Sequence, residues 1–316
     1  MLSQRLPLLL DGSTPSPVPA RVVVYRPRAE TDLSALSGAH VRIVQGFKPD
    51  FEAFKAQGYE VTLKAEGRFD LAIVAVPRSK AEARALIHAA AAHASEVIVD
   101  GQKTDGIDSL LKEVRKLTDV DRVVSKAHGK AFRFSGGDFA DWADPGSLHL
   151  IDGFTTRLGV FSLDRIDKAS EALAAALPAK LPARVADLGA GWGYLSRAIL
   201  ARGGVKELHL VEAEAAALAC ARDNISDPRV QFHWEDATGF KPPHLLDAVI
   251  MNPPFHTSRA ADPALGQAFI KAAAGMLAPQ GQLWLVANRQ LPYEATLASV
   301  FGNIAEIGVT GGFKVL

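Results

Sequence analysis

The stretch Asn252-Pro253-Pro254-Phe255-His256 combines residue types that can handle an amino group on a flat ring. A carboxamide oxygen accepts hydrogen bonds, and two successive prolines fix φ and remove backbone donors. The chain there is stiff, its carbonyls are free, and an aromatic side chain follows. The apolar run 247–250 before it reads as a strand that the prolines end. The same residues also read as a proline-rich turn without chemistry, so their surroundings must decide.

A second constellation lies upstream. Gly189-Ala190-Gly191-Trp192-Gly193 follows a strand at 184–188 and precedes a helix running to about 202. Strand, Gly-x-Gly-x-Gly turn and helix let backbone approach a ligand and offer free N–H groups. Asp187 stands just before the glycines. An acid there suits a cationic amino group and repels a pyrophosphate. Glu212 ends a second strand, 208–211, where a carboxylate suits a ribose diol or is simply exposed at a strand end. Asp236 follows a third strand, 230–234, and could accept from an adenine amino group. Asn252 follows a fourth strand, 245–250. These residues fall at the carboxyl ends of consecutive parallel strands, the edge where open α/β sheets take ligands. Cys220, in a helix at 213–224, reads as a packing residue.

The elements that position these groups alternate along the chain. A helix at 264–277, a strand at 281–287, a helix to about 301 and two short strands around Gly311-Gly312 complete the second half. The first half reads as strands at 22–25, 41–44, 59–63, 71–76 and 97–99 with helices at 51–57, 79–94 and 110–117. This pattern predicts an α/β fold with a mostly parallel sheet. The run 69–77, a helix and 96–99 echo the run 246–253, a helix and 282–286, with Ala-Val-Pro-Arg in the place of Asn-Pro-Pro-Phe. Two related domains are expected, 1–150 and 151–316, with the chemistry kept in the second.

The first half has no glycine-rich loop after its first strand, so it is expected to bind no nucleotide cofactor and to act as a scaffold or RNA-docking domain. Its basic ribbon carries Lys112, Arg115, Lys116, Lys126, Lys130 and Arg133, with Phe132 and Phe134 in alternation. That pattern suits RNA phosphates, and equally a solvated helix and an edge hairpin.

At 316 residues and 48% hydrophobic composition, the chain can bury two cores. No apolar run reaches membrane-spanning length, so no membrane contact is expected. A single cysteine excludes an intramolecular disulfide and a cysteine-rich zinc site. A reducing cytoplasm and no metal are expected. The formal net charge of zero excludes indiscriminate polyanion binding and leaves local patches for any nucleic acid.

Taken together, Asp-Leu-Gly-Ala-Gly-Trp-Gly at 187–193, Glu212, Asp236 and Asn-Pro-Pro-Phe resemble the class I S-adenosylmethionine-dependent methyltransferases. Gly-Val-Phe-Ser at 159–162, Asn-Pro-Pro-Phe-His, Val286-Ala287-Asn288, Leu291-Pro292-Tyr293 and Gly312-Phe313-Lys314-Val315 are more closely similar to the guanine-N2 methyltransferases of ribosomal RNA, in their small-subunit branch. The resemblance covers about residues 155–316 and continues more weakly through 112–134. It implies two tandem Rossmann-like methyltransferase domains, the first degenerate and the second a seven-stranded cofactor-binding sheet. It implies S-adenosyl-L-methionine held by Asp187, Gly189, Ala190, Gly191, Gly193, Glu212, Asp236 and Asn252. Asn252, Pro253, Pro254 and Phe255 become the catalytic set, with Phe255 stacking on the base and His256 shaping the loop or acting as a base. The implied reaction methylates the exocyclic N2 of a guanine in 16S ribosomal RNA, and the implied partner is ribosomal RNA or a ribosomal subunit. A cytoplasmic monomer is expected. The alternatives are a large-subunit guanine, adenine N6, glutamine N5, or an RNA-binding assembly factor with a vestigial site. Relatives acting on adenine or glutamine more often carry Tyr at the position of Phe255. Ala190 replaces a commoner cysteine and Ala169 a commoner glycine, both small for small.

Overall fold

The computed structural model describes residues 2–10, 19–254 and 263–316. The chain divides into two compact units, residues 1–146 and 147–316.

The first unit begins with helix α1 (Leu2–Leu10) and continues through β1 (Arg21–Tyr25), β2 (His40–Val44), α2 (Lys48–Ala56), β3 (Glu60–Thr62), β4 (Phe69–Ala75), α3 (Lys80–His93), β5 (Ala94–Gln102), α4 (Ile107–Val114), β6 (Val120–Lys126) and β7 (Gly129–Ser135). The second opens with a ribbon, β8 (Leu148–His149) and β9 (Thr155–Thr156). It continues through α5 (Lys168–Ala176), β10 (Arg184–Leu188), α6 (Tyr194–Leu200), β11 (Glu207–Glu212), α7 (Ala215–Asn224), β12 (Val230–Trp234), β13 (Leu246–Met251), α8 (Pro263–Met276), β14 (Leu277–Asn288), α9 (Glu294–Val300), β15 (Gly308–Thr310) and β16 (Phe313–Val315).

Each unit holds a seven-stranded sheet. The orders are β3-β2-β1-β4-β5-β7-β6 and β12-β11-β10-β13-β14-β16-β15, which is one topology used twice. Five strands are parallel, and the last two close an antiparallel edge. Central strands such as β10 and β13 are Val-, Ile- and Ala-rich because helices cover both faces.

Register makes the repeat explicit. Tyr25 pairs with Val44 as Leu188 pairs with Val211, and Val22 pairs with Leu71 as Val185 pairs with Ala248. Arg26 therefore occupies the place of Gly189, Gln45 that of Glu212 and Ala75 that of Asn252. Arg26 keeps the left-handed turn (φ 58° against 71° at Gly189), but its guanidinium donates to Gln45 Oε1 at 3.2 Å. The first copy has thus replaced the glycine, the acid and the amide that the second retains.

Several details depart from the sequence expectation. Helix α1 has no amphipathic signature strong enough to announce it, and Pro7 sits inside it. It forms because Leu2, Leu6 and Leu9 bury against the sheet, while buried Arg5 grips Asp100 at 2.5 and 2.9 Å and the Lys126 carbonyl at 2.7 Å. The hairpin between β6 and β7 turns at Ala127-His128, both at positive φ. Phe132 and Phe134 are fully buried, so they pack the core. Strand β14 starts four residues early because Leu277 still pairs with Leu246 before a register shift.

Candidate active site

Three glycines shape the turn after β10. Gly189, Gly191 and Gly193 have φ of 71°, 58° and 93°, a region that L side chains rarely adopt. Gly189 and Ala190 N–H groups donate to the Val211 carbonyl at 2.9 and 3.1 Å, which folds the loop over the end of β11. A Cβ on Gly193 would meet Ile225 at 2.8 Å, whereas a Cβ on Gly191 would meet nothing within 4 Å. Gly191 therefore borders open space that a side chain would fill.

The acids brace this loop. Glu212 accepts from the Gly191 and Glu214 amides at 2.8 and 2.7 Å. Burial raises its pKa, and the amides of Glu214 and Gly191 oppose that shift. Asp187 is completely buried. Its Oδ2 accepts from Ser196 Oγ at 2.7 Å, and Oδ1 has no partner among the described residues. Burial pushes its pKa up to about 7, against the Ser196 hydrogen bond and with the help of nearby Glu212. Asp236 sits after β12, where Oδ1 accepts from the Thr238 amide at 2.9 Å in a local turn.

Asn252 ends β13 beside the loop, since Met251 pairs with Leu188. Its Nδ2 donates to Asp167 Oδ2 and to Ser170 Oγ, both at 2.9 Å. Pro253 is buried, and Pro254 is exposed. Phe255 and His256 lie outside the described residues.

An open cleft unites these parts. Gly189, Ala190, Gly191, Asp167, Ser170 and Asn252 line it, and Phe161 and Ser162 stand at its side. Asp187, Glu212 and Asp236 do not line it; Glu212 reaches the loop through the Gly191 amide, and Asp187 reaches helix α6 through Ser196.

Sequence reading missed Asp167, Ser170, Ser196 and the lacing of segment 154–163. In that segment Trp192 Nε1 donates to the Phe161 carbonyl at 2.9 Å, and Asn224 bonds Thr155 and the Trp192 carbonyl. Asp167 and Ser170 carry only a helix-capping signal in sequence, Asp three residues before Ser at a helix start. On β16, within the second sheet's antiparallel edge, buried Lys314 donates to the Leu291 carbonyl at 2.7 Å and pairs with Glu294. It thereby joins two of the motifs that were separate in sequence. Among the ribbon residues, Lys112, Arg115, Lys116 and Lys126 are exposed, while Lys130 pairs with Asp108 and Arg133 with Glu96 at 2.7 Å.

Residues 153–316 match the methyltransferase small domain family. Ribosomal RNA small subunit methyltransferase C of Shewanella sp. (strain MR-4) is 30% identical over 267 residues, covering 80% of this chain and 78% of that protein. The enzyme of the same name from Shewanella pealeana is 31% identical over 261 residues, covering 78% and 76%. This chain belongs to the ribosomal RNA small subunit methyltransferase C family. A solved relative, the T. thermophilus 16S rRNA N2 G1207 methyltransferase in complex with AdoMet and guanosine, superposes with a TM-score of 0.79 at 26% identity, covering 98% of this chain and 89% of that one.

The chain is accordingly an S-adenosylmethionine-dependent methyltransferase. Its residues fit that cofactor. The buried, unpartnered Asp187 Oδ1 is a ready acceptor for an ammonium group. The space beside Gly191 is a cradle that any side chain would occupy. No helix among the described residues is long and apolar enough to cross a membrane, and no cluster of three or more His, Cys, Asp or Glu among them could hold a metal.

Proposed function

We infer that this enzyme transfers a methyl group from S-adenosylmethionine to the exocyclic N2 of a guanine in 16S ribosomal RNA. The observation that carries the reading is the juxtaposition of Asn252-Pro253-Pro254 with the Gly189 turn on neighbouring strand ends. The bound cofactor supplies an activated methyl group on a sulfonium. The protein's work is then positioning. Asp187, Glu212 and the backbone at 189–193 hold the cofactor. Asn252 Oδ1 and the Pro253 carbonyl accept from the guanine amino group and turn its lone pair toward the methyl. Phe255 stacks on the base, which must leave its helix to enter the cleft. Asp236, engaged in its own turn, contributes through the shape of the loop after β12 and through any acceptor capacity left on its carboxylate.

In this reading the first unit is a degenerate methyltransferase domain kept for scaffolding and RNA docking. Lys112, Arg115, Lys116 and Lys126 are its exposed cations, with Lys130 and Arg133 held in ion pairs beside them. A cytoplasmic monomer acting on RNA or on an assembled subunit completes the proposal.

The test is mass mapping of N2-methylguanosine in ribosomal RNA from cells with and without the gene. Loss of one N2-methylguanosine from 16S RNA is expected, restored by the wild-type chain. An unchanged 16S map with a loss in 23S RNA would move the substrate to the large subunit, and no change in either would remove the reading.

The buried acid adds a pH dependence. Asp187 titrates near 7 in the free protein, and a bound ammonium favours its carboxylate, so binding releases a proton. Free-protein stability falls as pH rises from the ordinary carboxylate range toward 7, because the folded state holds the proton more tightly than the unfolded chain. Cofactor affinity does the reverse. By calorimetry, the Kd is expected to weaken by up to about tenfold per pH unit below 7, with proton release in buffers of differing ionisation enthalpy. Asp187→Asn should flatten the profile. A wild-type Kd independent of pH between 5.5 and 7.5 would separate Asp187 from the ammonium (about two units, chosen to bracket the shifted pKa).

A further inference from the structure

We propose that Asp167 and Ser170 are positioning residues that decide which end of the Asn252 carboxamide faces the substrate. The inference deepens the methyl-transfer reading and rests on Asn252 as the group that meets the guanine amine.

An amide side chain has two ends of nearly equal size and opposite hydrogen-bonding character. Facing an amine, the oxygen accepts and draws the amino hydrogens to itself. The NH2 end would confront one donor with another. Something must therefore forbid the flip. A carboxylate only accepts, so Asp167 Oδ2 can bond Asn252 only through Nδ2. Ser170 Oγ, with its residue 9% exposed, takes the second amide hydrogen at 2.9 Å. Both Nδ2 hydrogens are then engaged on the α5 side, and among the described residues no donor reaches Oδ1. The acceptor end is left for the cleft that all three residues line.

The carboxylate does more than cap a helix. Its Oδ2 also accepts from the Ser170 amide at 2.9 Å, the ordinary N-cap bond of α5. Serine, threonine or asparagine would meet that need. Reaching Asn252, 85 residues away in sequence, needs the extra length of an Asp or Asn side chain. The negative charge also polarises the amide, which strengthens Oδ1 as an acceptor while positive charge grows on the attacking nitrogen.

The experiment separates cap from clamp. Asp167→Ser retains a good N-cap but cannot span to Asn252. It is expected to keep the melting temperature and the S-adenosylmethionine Kd close to wild type while lowering kcat on RNA by about ten- to a hundredfold, the cost of one lost hydrogen bond and a free flip. Asp167→Asn, which keeps a carbonyl at the same reach, should recover most of that loss. Ser170→Ala keeps the capped amide, removes the second acceptor and should cost roughly threefold to tenfold in kcat. Wild-type kcat in both Asp167→Ser and Ser170→Ala, with Asn252→Ala inactive, would reduce Asp167 to a helix cap and overturn the proposal. Should Asp167→Ser melt early, kcat of Ser170→Ala alone decides in the same way. Full activity in Asn252→Ala itself would instead remove the underlying reading of the site.

Discussion

Asn252→Ala is expected to lower kcat for methyl transfer by about 10²–10³ while leaving the Kd for S-adenosylmethionine within about twofold. The magnitude follows from what the amide does. As the guanine N2 attacks, its nitrogen gains positive charge, and a preorganised acceptor stabilises that charge without reorganising. Water in an open cleft reorients to do the same at a cost. The cofactor braces, by contrast, lie on other strands. Glu212 acts from β11 and Asp187 from within β10, and neither hydrogen-bonds Asn252. Stability should change little, because Asn252 is only partly buried and alanine suits a strand end. The loss of its Nδ2 leaves Asp167 still bonded to the Ser170 amide. Single-turnover assays on RNA, paired with calorimetry for the cofactor, separate the two effects. Turnover within a few-fold of wild type would show that the Asn252 amide is not the group that meets the amine.

The second large effect concerns folding of the first unit. Arg5→Ala is expected to destabilise it by about 3–5 kcal/mol, the cost of leaving a buried charge without its partner. Arg5 is 0% exposed, and Asp100 on central strand β5 is 5% exposed. The guanidinium meets both carboxylate oxygens and closes the end of β6 through the Lys126 carbonyl. Gly129 has no side chain where a Cβ would stand 2.5 Å from Arg5 Nη1, so β7 is shaped around the same group. Removing Arg5 strands Asp100 and opens a cavity under α1. The double replacement Arg5→Met with Asp100→Leu should recover much of the loss, because the desolvation cost disappears with both charges. Urea titration with hydrogen exchange on α1 and β5–β7 measures it. A loss under about 1 kcal/mol would mean that water reaches Asp100 once the arginine is gone.

Much of the fold was legible because its signals are local. A strand buried on both faces reads as an apolar run, and the runs at 71–76, 184–188 and 230–234 are followed by Pro77, Gly189 and Glu235, which change the backbone's options. β10 and β12 were read to the residue, and the antiparallel edge around Gly311-Gly312 followed from turn chemistry. The faint repeat between 69–99 and 246–286 became one strand order used twice. Even the substitution of Ala-Val-Pro-Arg for Asn-Pro-Pro-Phe lies at matching register, with Ala75 in the place of Asn252.

What failed to show in the sequence failed for one reason: it depends on partners far along the chain. Helix α1 has a proline inside it, and only burial against the sheet makes it a helix. Phe132 and Phe134 sit in a basic ribbon, yet alternation alone does not say which face is the core.

The sequence by itself determined the two α/β halves, the glycine turn, the acids at the strand ends and the stiff Asn-Pro-Pro segment, since φ/ψ preference and hydrophobic period act within a few residues. Only the tertiary structure decided that Asp187 is sealed from water, that Glu212 holds the Gly191 amide, and that Asp167 and Ser170 reach across 85 and 82 residues to seize one end of Asn252. Those bonds exist because packed helices and strands fix side chains in space, and no period along the chain encodes which two ends will meet.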